Sequence, residues 1–129
     1  MAEVVPKALI LGHSFVRRLK RDLDSGFDPR VASDFNLRGT ASVNLHGVGG
    51  RTEQTLQEND LHVVRDLAPD IVILEIGTND LTHTPPEIVG SLIEDFVRLL
   101  QGKIFCSRER RLWCHPTWHF RATCSVLVA

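Results

Sequence analysis

The sequence predicts an α/β domain: parallel strands joined by right-handed crossovers, with helices on both faces of the sheet. Two observations lead there. Across residues 1–101, short apolar runs alternate with stretches whose apolar residues fall at helical spacing, giving strand, helix, strand, helix, strand, helix. Each run also ends in glycine or polar residues, and in a parallel sheet those strand ends share one edge, where ligands collect.

The first run is Val4–Leu11, its regular part limited by Pro6 to Ala8–Leu11. It is nearly all apolar, as expected of a strand covered on both faces. Gly12-His13-Ser14 follows, and Phe15–Asp24 then reads as helix, with Phe15, Val16, Leu19 and Leu23 on one face. Arg17, Arg18, Lys20 and Arg21 occupy the other, most simply a solvated face. Ser25-Gly26-Phe27-Asp28-Pro29 ends the helix, and residues 30–41 carry no clear pattern.

Ser42–His46 alternates weakly and predicts a second strand, running into Gly47-Val48-Gly49-Gly50-Arg51-Thr52. The glycines let the backbone turn sharply and approach a ligand. Thr52 is placed to cap one helix running to about Leu67, with Leu56, Val63, Val64 and Leu67 as its apolar members. Ala68-Pro69-Asp70 stops it. Ile71–Leu74 is β-branched and apolar throughout, predicting a strand buried on both faces. It leads into Glu75-Ile76-Gly77-Thr78-Asn79-Asp80. Pro85-Pro86-Glu87 opens a further helix, with Ile88, Leu92, Ile93, Phe96, Val97 and Leu100 as its apolar stripe.

Composition bounds the function. The chain has 129 residues, enough for one domain and small for an enzyme, and 43% of them are hydrophobic. The formal net charge of -1 gives no nucleic-acid signal. Charge is uneven, however: residues 1–101 carry a net of -5 and residues 102–129 a net of +4. Cys106, Cys114 and Cys124 all fall in that second part, an odd count that argues against a disulfide framework. No segment is apolar for long enough to span a membrane, and the start is too short for a signal peptide, so a cytoplasmic location is expected.

The fold places Ser14, the glycines at 47–50, and Asn79 with Asp80 on one edge. A serine hydroxyl, glycine N–H groups and an asparagine amide are suitable parts for acyl transfer. Ser14 would attack a carbonyl carbon; the N–H groups of Ser14 and Gly50 and the Asn79 side chain would stabilise the oxyanion. The three blocks Gly12-His13-Ser14, Gly47–Thr52 and Gly77-Thr78-Asn79-Asp80 resemble the first three conserved blocks of the SGNH, or GDSL-type, hydrolases. The resemblance covers residues 4 to about 101. It implies a three-layer α/β/α sandwich of flavodoxin-like form, an ester substrate, no cofactor and no metal. It aligns Ser14 with the family nucleophile, Gly50 with the block-two oxyanion glycine and Asn79 with the block-three oxyanion asparagine. With His13 where many members have Asp, the wording is also similar to esterase domains carried in some animal retrotransposon reading frames.

One part of the pattern is missing. The family's fourth block, Asp-x-x-His, supplies the general base and the acid that orients it, and this chain has no Asp after Asp95. His115 and His119 lie in the second half without an acid three residues before them; His13 and His46 flank the presumed cleft. From Gly102 the periodicity is lost. The expectation is therefore an SGNH-like domain over 1–101, incomplete at its C-terminus, and an atypical basic tail over 102–129 that is not native domain sequence. Ile104-Phe105-Cys106 or Ser125–Val128 would supply one further strand at the open sheet edge. A serine without a base is a poor nucleophile, so weak or absent activity is expected.

Competing readings are weaker. Ser14 alone reads as a helix cap. Gly47-x-Gly49 has Thr52 where a dinucleotide fingerprint needs its third glycine. Cys106, Cys114, His115, His119 and Cys124 match no standard zinc spacing. Two functional alternatives stay open: a non-catalytic α/β domain, and a nucleic-acid-associated module of a mobile element.

Overall fold

The computed structural model describes residues 5–26, 28–30, 34–105 and 125–128. The elements are β1 (Lys7–Gly12), α1 (Ser14–Asp24), β2 (Ser42–Gly47), α2 (Glu53–Asn59), α3 (Leu61–Leu67), β3 (Ile71–Glu75), α4 (Pro86–Leu99) and β4 (Ser125–Val128). The strands form one sheet in the order β2-β1-β3-β4, and every pairing is parallel.

Register ties the three strand ends together. Gly12 pairs with Gly47 on one side and with Glu75 on the other. The loops that follow β1, β2 and β3 therefore leave from one level of one edge.

The core lies on one face. Leu9 and Leu11 of β1 and Val72 and Leu74 of β3 are fully buried there with Leu56 of α2, Val64 of α3, Phe96 of α4 and Leu100. Side chains alternate faces along a strand. Gly12, one residue past Leu11, points the other way, where α1 lays Val16 over it. This gives helices on both sides of a parallel sheet, as the sequence predicts.

The two faces are not equally covered. Ile71 and Ile73 are only half-buried, and so is Ile10. Burial of β1 and β3 on both faces was expected; it is complete only on the face toward α2, α3 and α4. On the other side, α1 packs over β1 and β2.

Two further expectations need correction, and one pair of alternatives is resolved. The helix expected from Thr52 to Leu67 is two helices that meet at Asp60. Asn59 and Asp60 are both weak helix formers, and Asp60 is buried with its carboxylate engaged elsewhere. The stripe of α4 is displaced: Val89 and Phe96 are buried, whereas Ile88 is 51% exposed and Leu92 37%. Ile104 and Phe105 do not form a strand, because Leu100–Phe105 continues α4 as a π-helical segment. Ser125–Val128 is the piece that extends the sheet, pairing with Ile71–Leu74.

Candidate active site

Three loops meet at the carboxyl edge of the sheet, joined by two hydrogen bonds and one close histidine–carboxylate approach. The Val48 N–H donates to the Gly12 carbonyl (3.2 Å), linking the ends of β2 and β1. The Asn79 side chain donates through Nδ2 to the Arg51 carbonyl at 2.9 Å, linking the loops after β3 and β2. His13 Nε2 lies 3.0 Å from Glu75 Oε1, linking the loop after β1 to the end of β3.

Ser14 is the first residue of α1 and is half-buried. The cap is not Ser14 but His13, whose Nδ1 accepts the Phe15 N–H at 3.4 Å. Among the described residues nothing hydrogen-bonds the Ser14 hydroxyl. Gly50 is exposed with φ +76°, a left-handed conformation that glycine adopts without steric penalty. Gly47 is required for another reason: a Cβ there would lie 2.3 Å from the Arg17 nitrogen and 2.7 Å from the His13 carbonyl oxygen. Its bare backbone lets β2 run against the first turn of α1.

The sequence profile of the GDSL-like Lipase/Acylhydrolase family matches residues 10–122, well over half of the chain and all three loops. The chain belongs to this family. Among solved structures it is similar to a GDSL-like lipase from Bacteroides thetaiotaomicron, at 17% identity and a TM-score of 0.56, over 78% of this chain and 47% of that one. It is also similar to a psychrotrophic esterase from Pseudoalteromonas solved with monoethylphosphonate as inhibitor, at 19% identity and a TM-score of 0.53, over 74% and 53%. An acetyl xylan esterase matches at 20% identity and a TM-score of 0.50, over 74% and 52%. The chain thus spans about half the length of these structures, which share its fold. No curated protein matches the chain.

Within this GDSL-like domain, neither His13 nor His46 hydrogen-bonds Ser14. One ring nitrogen of His13 faces the Phe15 N–H and the other the Glu75 carboxylate. His46 is turned to Asp60, with Nε2 3.2 Å from Oδ1. His115 and His119 lie outside the described residues, as do Cys106, Cys114 and Cys124.

Charged residues beside the three loops make contacts that the sequence did not foretell. Asp60 is buried, and Arg51 grips it with two N–H groups: Nε to Oδ2 at 2.8 Å and Nη2 to Oδ1 at 3.2 Å. Asp80 is buried too, and both its oxygens accept the Glu53 N–H, at 3.0 and 3.1 Å. A carboxylate at the first turn of α2 suits the partial positive charge there. Glu53 itself is buried, and its carboxyl is raised above the ordinary 4.5, first by burial and then by the charges of Asp80 and Asp95. The Asn59-Asp60 pair, two weak helix formers inside the expected helix, is a sequence signal for the Asp60 contacts, while Arg51 and Asp80 lie within the second and third blocks.

Beside Asn79 lies an open hollow of about 370 Å³, lined by Thr52, Glu53, Gln54, Asp80, His83, Thr84 and Leu92 as well. A smaller hollow of about 260 Å³, among Lys20, Leu23, Asp24 and Val43–Leu45, is remote from the three loops. Among the described residues no helix is long and apolar enough to cross a membrane.

Proposed function

We propose that this domain is built for carboxylic ester hydrolysis through a serine acyl-enzyme. Ser14 Oγ attacks the ester carbonyl carbon, the carbonyl oxygen takes the negative charge, and the alcohol leaves. Water then releases the acid from Ser14. The Ser14 and Gly50 N–H groups and the Asn79 amide are the oxyanion donors. Each such donor is worth roughly 3–4 kcal/mol of transition-state stabilisation in other acyl-transfer enzymes.

The observation that carries this reading is the 2.9 Å bond from Asn79 Nδ2 to the Arg51 carbonyl. It holds the second and third sequence blocks together on the edge where Ser14 opens α1, and it leaves one N–H of the amide for an oxyanion. Family membership supports an ester-type substrate.

No imidazole among the described residues hydrogen-bonds the Ser14 hydroxyl, and the chain has no Asp-x-x-His block, so turnover by this chain is expected to be weak. An intact oxyanion hole still gives some reaction at the serine. Labelling with a fluorophosphonate, read by intact mass, tests this. One adduct on the wild type and none on Ser14→Ala is the expected result. No adduct on either protein would leave the non-catalytic domain as the better description.

A further inference from the structure

Asp60 occupies a position it does not use in the ordinary way. It precedes the first residue of α3, where an Asp side chain is a favoured cap, yet its carboxylate makes no capping bond to α3. Instead the buried carboxylate takes the two N–H groups of Arg51 and the imidazole of His46. A buried carboxylate turned from its own helix toward a loop is held there by what the loop supplies.

Arg51 stands between the two groups assigned to the oxyanion. It follows Gly50 directly, and its carbonyl accepts the Asn79 amide. Gly50 is exposed, sits at φ +76°, and, its chain neighbours aside, has no atom of the described residues within 4 Å of where a Cβ would be. Its conformation is thus restrained through its neighbours rather than by packing. On the far side, the Thr52 N–H donates to Thr55 Oγ1 at 2.8 Å in a reciprocal cap. The Asp60 grip supplies the restraint on the Gly50 side.

The Arg51 carbonyl also decides which way the Asn79 amide faces. A carbonyl oxygen takes only the NH₂ end of the amide; the reverse orientation would set two oxygens against each other. We propose that Asp60 is a positioning residue: by holding the Arg51 guanidinium it fixes the loop that carries Gly50 and orients Asn79. This rests on the reading of Ser14, Gly50 and Asn79 given above.

The test uses the full chain and two variants, Asp60→Asn, which keeps shape and loses charge, and Arg51→Lys, which keeps charge and loses the two-pronged grip. Each is read by the rate of Ser14 modification by a fluorophosphonate and by the side-chain amide resonances of Asn79. Both variants should lower the limiting modification rate about tenfold, a fraction of the effect of deleting a donor outright. The probe concentration for half-maximal rate should stay unchanged, and the Asn79 resonances should move. The double variant should be no slower than the slower single one, since both break one link. Wild-type rates and unmoved Asn79 resonances in a folded Arg51→Lys protein would overturn the proposal, even if Asp60→Asn failed to fold. An unmodified Ser14 in the wild type would instead overturn the nucleophile reading. It is told apart because Asn79 would still respond to Asp60→Asn.

Discussion

His13 and Glu75 face each other across the carboxyl edge of the sheet, Nε2 to Oε1 at 3.0 Å, with the His13 side chain only 9% exposed. The approach is close without being an aligned hydrogen bond, since His13 Nε2 has no hydrogen-bond partner among the described residues. Nδ1 accepts the Phe15 N–H, so a neutral ring carries its proton on Nε2, toward the carboxylate. His13 thus joins the start of α1 to the end of β3.

Replacing it should cost stability and spare the serine. His13→Ala removes the cap and leaves the Glu75 carboxylate without its neighbour; a loss of about 1–2 kcal/mol is expected in urea unfolding. Ser14 should still take up a fluorophosphonate. Loss of labelling in a folded His13→Ala protein would identify His13 as the base.

The glycines of the second loop should separate two kinds of cost. Gly47→Ala drives a methyl into the Arg17 nitrogen, and backbone cannot yield cheaply. It should destabilise by about 3 kcal/mol or more. Gly50→Ala meets open space and suffers only from its left-handed φ, at about 1–2 kcal/mol. Equal losses in thermal unfolding of the two would contradict the close approach of β2 to α1.

Glu53 makes stability depend on pH with a definite sign. Its carboxyl sits above 4.5 in the folded chain, raised by burial, Asp80 and Asp95, and returns to about 4.5 on unfolding. Between the two values the folded state holds a proton that the unfolded chain has lost, so stability falls as pH rises through this window and stays lowered above it. Glu53→Gln should therefore raise Tm at pH 7, with the gain shrinking as pH is brought down toward 4.5. A gain that grew on acidification would show the sign to be wrong.

The core face predicts the largest single loss. Phe96 is 1% exposed and packs with Leu9, Leu74 and Leu100. Phe96→Ala should cost about 3–5 kcal/mol in denaturant unfolding. Ile88→Ala, at a position 51% exposed on the same helix, should cost far less.

Much of this molecule was legible in the chain itself, because strand and helix periods are local properties. Ile71–Leu74, the Pro-Pro-Glu start of α4 and the Thr52 cap all carry their signal within a few residues. Parallel topology followed from the alternation, and with it the meeting of the loops at Ser14, Gly50 and Asn79 on one edge. Tertiary structure decided what no local pattern encodes. It turned Asp60 toward Arg51 rather than toward its own helix, set Asp80 on the Glu53 N–H, brought the His13 ring against Glu75, and left Ile88 and Leu92 of the predicted stripe exposed. The reason is that a buried charge takes whichever partner the fold brings within reach, and an apolar face is buried only where another element is there to cover it.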